Sequence, residues 1–481
     1  MDFKALGLKV GLEIHCQLET HKLFCKCPSI LKEDKPDFTI KRFLRASLSE
    51  LGEKDVVAEF EQEKNKYAIY EGYNDNSCLI ELDESPPGKI NQHALDTALQ
   101  VALLLNMKII PEIQVMRKQV LDYSNTSGFQ RTALVAINGD LKFNNKKIEI
   151  QSLCLEEDAA RKTSEDSEKV VYRLDRLGIP LIEIATGPDI NDPIEAKQVA
   201  EYIGMILKST ERIKRGLGTI RQDLNVSIKD GARVEIKGVQ ELRDIPTIIE
   251  NEVKRQLSLI NSRKKVVSEV RKVNEKLETD FMRPMPSSSR MYPESDHQLI
   301  KISSQEIKKI KLPELLTEKS LALEKKYKLS PELAREIIKE KILFEKYIKF
   351  KLEPELIAKI LIEYPKDVKA RYNLDISKLK ENDFIEVLKL VEKGIPKEAI
   401  PEMFSDLIKE GKINSSKYKV VETEDIESEI KKLVEKNKTL IKERGENSIG
   451  PLMGDLMKKY RGKIDAKKTS DLLRKEIAKL K

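Results

Sequence analysis

The chain contains no tryptophan, only four histidines and only five cysteines among 481 residues. It also lacks any apolar run near the roughly 20 residues that a membrane-spanning helix needs. Each scarcity removes a class of protein. The most apolar stretch, residues 98–110, is interrupted by Gln100, Asn106 and Lys108 and reads as a buried helix. Residues 1–19 place Glu13 and His15 where a signal peptide would need its apolar segment, so the expectation is a cytoplasmic protein with no membrane partner. Cys16, Cys25, Cys27, Cys78 and Cys154 are an odd number without a disulfide framework, which fits a reducing compartment. There is no GxxxxGK[ST] loop and no GxGxxG after a strand, and the GLGT at 216–219 is too short to stand as a phosphate loop by itself. The heavy use of Lys and Glu without Trp fits a hot-living source or an AT-rich genome equally well.

What is present begins with charge. The formal net charge is +7, and from residue 441 to the end 12 Lys and Arg face 6 Asp and Glu, so nearly all of the excess sits in the last 41 residues. A basic terminal module on a nearly neutral body points to an anionic polymer. Nucleic acid is favoured over membrane because that tail has no aromatic anchors. A solvated helical face is the plain alternative.

Two regimes succeed each other along the chain. Residues 1–300 hold nearly all the period-two alternation, whereas residues from 301 are helical in pattern and punctuated by Pro313, Pro331, Pro354, Pro365, Pro396 and Pro401. The segment 411–417 (GKINSSK) reads as a linker to a basic helical tail. The expected fold class is α+β: a large mixed-sheet body over 1–300, a helical middle domain over 301–410 and a small helical tail over 411–481.

Within the body, alternation over residues 8–19 puts Leu8, Val10, Leu12, Ile14, Cys16 and Leu18 on one face and Glu13, His15 and Gln17 on the other. The same reading sets Arg221, Asp223, Asn225 and Ser227 opposite Ile220, Leu224, Val226 and Ile228. A turn at Lys229-Asp230-Gly231, with the glycine free to take positive φ, leads into a strand carrying Arg233, Glu235 and Lys237. Glu156, Glu157 and Asp158 end one apolar run, and Glu183 stands alone inside another, where an unpaired carboxylate needs a cation or donor. Asp192, Pro193 and Glu195 form a helix start. Glu13, His15, Glu157, Glu183 and Glu235 are therefore five candidate ligands from four strand-like segments. Oxygen-rich ligation with a single imidazole suits Mg²⁺ or Mn²⁺ and argues against a zinc hydrolase.

Several long motifs go further: VGLEIHCQL (10–18), KLFCKCP (22–28), CLIELDESPP (78–87), DYSNTSGFQRTALVA (122–136), LEEDAARK (155–162), YRLDRLGIPLIEIATGPDI (172–190), KRGLGTIRQDLNVSI (214–228), GARVEIKGVQEL (231–242), RMYPESD (290–296) and GPLMGDLMKKYRGKIDAK (450–467). Together they closely resemble the B/E family of subunits of the tRNA-dependent amidotransferases, in the archaeal E form found in glutamyl-tRNA(Gln) amidotransferase. The resemblance covers nearly all of the body and part of the tail, and the SNTSGFQR and RGLGTIRQDLNVSI versions favour E over B. It implies a cradle-like catalytic body that uses ATP to phosphorylate the γ-carboxylate of glutamate on tRNA(Gln). Ammonia from a separate asparaginase-like amidase subunit, of the D type, then gives Gln-tRNA(Gln). The tail would bind tRNA.

By motif match, Glu13, His15, Glu157, Glu183 and Glu235 fall where this family places its Mg²⁺ ligands. Lys118, with Arg117, Arg221 and Lys237, would neutralise phosphate oxygens of ATP. Cys25, Cys27, Cys78 and Glu81 stand in place of a four-cysteine zinc set. The family's inserted domain, shared with bacterial-type aspartyl-tRNA synthetases, is missing, and residues 258–282 read as a short charged link in its place. In the tail, Leu472, Leu473, Ile477 and Leu480 form an apolar stripe, leaving Arg474, Lys475, Lys479 and Lys468 for phosphates and Tyr460 amid Lys458, Lys459, Arg461 and Lys463 for a base. Two rivals stand beside this reading: a B-type protein that also serves Asp-tRNA(Asn), and a non-catalytic tRNA-binding scaffold.

Overall fold

The computed structural model describes the chain apart from positions 47, 49–51, 121, 145, 217, 287–289, 419–422, 439–440, 442–447, 460–465 and 480–481. It is an α+β protein in two compact units, Met1–Leu316 and Thr317–Lys481.

Alternating β-branched and polar residues build the large sheet of the first unit. Its strands run in the order Thr279–Pro284, Glu269–Val273, Val234–Val239, Ile220–Ser227, Lys9–Gln17, Pro180–Thr186, Lys146–Glu157, Phe129–Phe143, Val115–Gln119 and Met291–Pro293, with Lys108–Ile109 added onto Phe129–Phe143. Neighbours are antiparallel except Val234–Val239 and Glu269–Val273. The apolar face is sealed by the helices Gln92–Leu104, Pro193–Ser209 and Ile245–Asn261. One core therefore joins Leu12, Ile14, Leu155, Ile184, Leu224 and Ile236 to Ala98, Ile203 and Ile249. Burying that set, at about 25 cal/mol per Å² of apolar surface, is what fixes which face remains for chemistry. A smaller sheet in the order Phe38–Arg42, Tyr67–Gly72, Lys169–Arg173 and Arg161–Glu165 carries its own cluster around Tyr70, Tyr172 and Leu174.

Local chemistry sets the element ends. Asp192 caps Pro193–Ser209 by accepting from the N–H groups of Ile194 and Glu195, with proline in the first turn. The apolar stretch over 98–110 is not one helix. Asn91 caps its start at Ala94, the helix ends at Leu104, and Asn106 at φ 53° turns the chain into the strand Lys108–Ile109. In the turn after Ile220–Ser227 it is Asp230, at φ 62°, that takes the left-handed conformation. Gly231 is small for another reason: a Cβ there would meet Gln256 Oε1 at 2.2 Å. Residues 258–282 are more than a link, since they close a helix and supply the strand Glu269–Val273 and most of the edge strand Thr279–Pro284.

The second unit is helical. One cluster gathers Leu333, Ile337, Ile357, Leu388 and Phe404, and extends into the 411–418 segment through Tyr418; another joins Ile430, Leu452, Leu456, Leu473 and Ile477. Pro331, Pro354 and Pro401 sit in first turns, while Pro365 lies inside Pro354–Tyr372. In Ala466–Ala478, Leu473 and Ile477 are buried, and Arg474, Lys475 and, just beyond, Lys479 are exposed. Tyr460, Arg461, Lys463 and Leu480 lie outside the described residues, as do the side chains of Lys458, Lys459 and Lys468. Among the described residues no helix is long and apolar enough to cross a membrane.

Gly139 tests the seat of Gln92–Leu104 on the sheet. A Cβ there would meet Met107 Cγ at 2.3 Å and the Leu105 carbonyl oxygen at 2.5 Å. Gly139→Ala should cost about 1–3 kcal/mol, read as a lower midpoint in thermal or urea unfolding. An unchanged midpoint would show that this contact relaxes without cost.

Candidate active site

Residues directly opposite in an antiparallel pair share a face, so register decides which polar side chains meet. In the strand Lys9–Gln17, His15 lies opposite Glu183 on one side and Arg221 on the other, and Glu13 lies opposite Asp223. Further out, Glu183 lies opposite Cys154, Glu156 opposite Thr132, Gln130 opposite Lys118, and Asn225 opposite Glu235. Seven strands thus contribute to one polar face.

Charges alternate across it. Lys118 Nζ is 2.6 Å from Glu156 Oε1 and 3.6 Å from Glu183 Oε2. His15 Nε2 is 3.2 Å from Glu183 Oε2 and 3.5 Å from Glu13 Oε1. Lys237 Nζ is 2.7 Å from both Asp223 Oδ2 and Glu235 Oε1. Glu156 is further held by Thr132 Oγ1 at 2.6 Å and Gln130 Nε2 at 2.9 Å. Five carboxylates here (Glu13, Glu156, Glu183, Asp223 and Glu235) face two lysines and one imidazole, so the face is short of positive charge.

The titrations carry that imbalance. Burial, and then the charge of Glu183, push the Glu13 carboxyl up to about 7. Burial pulls His15 down, but its hydrogen bond to Glu183 and the charges of Glu183, Glu13 and Asp223 outweigh it, holding the imidazole above its ordinary value. Glu183 is drawn well below the carboxylate range, because Lys118 and His15 overcome its burial. Glu13, His15 and Asp223 each place one ligand atom within 4.8 Å of the others. Two carboxylates and an imbalance of negative charge around one imidazole form a donor set for a hard divalent cation.

The structure therefore gathers Glu13, His15, Glu183, Glu235, Lys118 and Lys237. Arg221 stands at the end of the same face, held at 3.0 Å by Asp158, which Gln17 also binds at 2.5 Å. Glu157 and Arg117 are not brought there. Alternation turns both to the opposite side, where Glu157 accepts from the Arg131 backbone N–H at 3.1 Å and Arg117 binds Glu294 and stacks on Phe129. Their neighbours Glu156 and Lys118 hold the site positions instead. Glu156 and Asp223 are additions to the ligand set that the sequence suggests. Alternation already puts Asp223 on the polar face, but only the pairing of Lys9–Gln17 with Ile220–Ser227 brings it to Glu13.

A second cluster lies apart. Cys25 Sγ is 2.9 Å from Glu81 Oε1, the Cys78 N–H donates to Glu81 Oε2 at 2.8 Å, and one ligand atom each of Cys25, Cys27, Cys78 and Glu81 falls within 4.8 Å. A hydrogen bond from Cys25 lowers the Cys78 thiol to about 7, and the same bond, with burial, raises Cys25. Lys22, fully buried, donates to the Leu174 carbonyl at 3.1 Å and lies 3.7 Å from Glu81.

Residues 8–308 match the family described as the GatB/GatE catalytic domain, and residues 342–477 that described as the GatB domain. Among curated relatives, the E-type glutamyl-tRNA(Gln) amidotransferase subunit of Archaeoglobus fulgidus is 37% identical over 612 aligned positions spanning 99% of each chain. That of Methanocaldococcus jannaschii is 38% identical over 629 positions and 100% of each. The Thermococcus gammatolerans protein of the same name is 36% identical over 625 positions, covering 100% of this chain and 99% of its own. Those alignments outrun the 481 residues here, so the relatives carry segments without a counterpart in this chain.

A divalent cation on Glu13 must displace the proton this carboxyl holds below about pH 7. Because the raised His15 imidazole must also give up its proton, cation affinity measured calorimetrically should rise with pH from about 5.5, by up to a hundredfold per unit while both groups hold protons, and level off only once His15 is neutral as well. Without the cation, the raised carboxyl should make the fold lose stability as pH climbs from its unfolded value, about 4.5, through about 7. Affinity independent of pH across this range would remove Glu13 from the donor set.

Proposed function

The chain belongs to the GatB/GatE family of amidotransferase subunits, and from that premise we propose that it phosphorylates the γ-carboxylate of glutamate on tRNA(Gln) with ATP and then amidates it. A γ-carboxylate oxygen attacks the terminal phosphorus and ADP leaves; ammonia attacks the acyl carbon and inorganic phosphate leaves. The single observation that supports this reading is the face of five carboxylates and two lysines spread over six strands, in a chain of this family.

Phosphoryl transfer asks chiefly for positioning and for charge opposite the phosphate oxygens. Mg²⁺ held by Glu13, His15 and Asp223, with Glu183 beside them, would supply divalent charge along the nucleotide phosphates. Lys118 and Lys237 each hold two carboxylates, and an ammonium has three donors, so each retains one for a phosphate oxygen. Ammonia would come from an asparaginase-like partner protein. The exposed Arg474, Lys475 and Lys479 of the tail suit tRNA phosphates.

Zinc fits the cysteine cluster by its donors. Three thiolates and one carboxylate leave a complex of net negative charge, and the buried Lys22 ammonium beside Glu81 offsets part of it.

Purified chain, amidase partner, ATP, Mg²⁺ and Glu-tRNA(Gln) should yield Gln-tRNA(Gln), and no product would end the enzymatic reading. Glu183→Gln and Glu156→Gln should lower turnover at least a hundredfold with tRNA affinity within about twofold. Glu157→Gln should act mainly on stability, through the buried Arg131 contact, by about 1–3 kcal/mol. For the cysteine cluster, elemental analysis should find about one zinc per chain, with Cys78→Ser losing it. Metal-free wild-type protein of undiminished thermal stability would refute the zinc assignment.

A further inference from the structure

The small sheet buries one face and leaves the other open. Ala68, Tyr70, Val170 and Tyr172 belong to its own core cluster, so alternation turns Tyr67, Ile69, Lys169 and Val171 outward. Register sets out the rows of that outward face, with Lys41, Ile69 and Val171 side by side in one and Tyr67 and Lys169 in the next. Arg42 pairs with Ala68, so Phe43, one residue on, falls next to Tyr67, and the two ring centroids are 5.7 Å apart. Lys41 Nζ lies 3.8 Å from the Tyr67 centroid and 5.1 Å from that of Phe43.

Two features set this patch apart from a merely solvated face. Phe43 is 66% exposed, so most of its ring surface adds nothing to a core. The lysines beside the rings are also unspent: neither Lys41 nor Lys169 makes an ion pair with a described residue, whereas the neighbouring Arg42, Lys66 and Arg173 are held by Glu84, Glu165 and Glu71 at 2.6, 2.8 and 2.7 Å. Those acids are thereby occupied, Glu165 also by Lys162 at 2.7 Å. An exposed aromatic ring among free cations suits unpaired nucleic acid, because a base stacks on the ring and the adjoining phosphates meet the positive charge. An acidic peptide would satisfy the lysines but leave the ring without a stacking partner.

We propose that the outward face of the small sheet binds unpaired RNA: a base stacks on Phe43, and Lys41 and Lys169, on the strands either side of Tyr67, meet the phosphates next to it. The assignment rests on the proposed function only for the source of this ligand, the single-stranded 3′ end of the tRNA. It differs in kind from a contact by the tail lysines, whose charge does not distinguish paired from unpaired RNA.

The full chain is titrated by fluorescence anisotropy with a short unpaired RNA and, separately, with a blunt RNA duplex. Phe43→Leu, which keeps an apolar side chain but removes the ring, should weaken binding of the unpaired RNA about tenfold and leave the duplex within about twofold. Its melting temperature should not change, because the residue is exposed. Phe43→Trp should bind the unpaired RNA at least as tightly as wild type. Lys41→Gln/Lys169→Gln should reduce the slope of log affinity for unpaired RNA against log salt by roughly 1. Equal affinities of wild type and Phe43→Leu for the unpaired RNA, an equal loss on the duplex, Phe43→Trp behaving as Phe43→Leu, or no binding of unpaired RNA to wild type would each overturn the proposal. These titrations need neither amidase nor turnover, so failure to form Gln-tRNA(Gln) would strike the function alone.

Discussion

One face of a long antiparallel sheet carries more carboxylates than it has cations to match, and much else in the first unit answers to that constraint. A buried carboxylate is tolerable only with a partner. Lys118 and Lys237 are accordingly stationed between pairs of acids, His15 is held toward its charged form, and Glu13 retains its proton to about neutral pH. The opposite face is packed by three helices into a continuous apolar core, which prevents the strands from slipping by one residue and exchanging the two faces. Packing on one side thus secures electrostatics on the other.

How much of this is legible in the sequence differs between alternation and register. Alternation is a local property, so the core side of Lys9–Gln17 and the placing of Glu13 and His15 on the other side can be read directly. Register depends on strands far apart in sequence, and nothing in residues 9–17 says that Asp223 will face Glu13. Where two like residues are adjacent, the pattern does not choose between them either: Glu156 and Glu157, or Arg117 and Lys118, differ by one position and therefore by a whole side of the sheet. The segment 258–282 reads as a connector because its charged residues mask the alternation of the last two strands at one end of the sheet, one side of which faces solvent. The turn near Asp230 is misread from sequence because Gly231 is required by the nearby Gln256 amide rather than by backbone angle.

The cysteine cluster follows a related logic at smaller scale. Cys25 and Cys27 come from one loop, Cys78 and Glu81 from another, and the fully buried Lys22 ties Glu81 to the Leu174 carbonyl near the small sheet. Three separate segments are joined at one charged point.

The place of Lys9–Gln17 in the sheet also bears on how the chain is made. This strand leaves the ribosome before both of its neighbours, Pro180–Thr186 and Ile220–Ser227, which come more than 160 residues later. At roughly 5–20 residues per second, its apolar edge waits on the order of ten seconds or more for a first partner and longer for the second. During that interval an unpaired strand with a fully apolar face is open to association with other nascent chains. The order of synthesis thus makes the segment bearing Glu13 and His15 a natural client for a chaperone acting during translation.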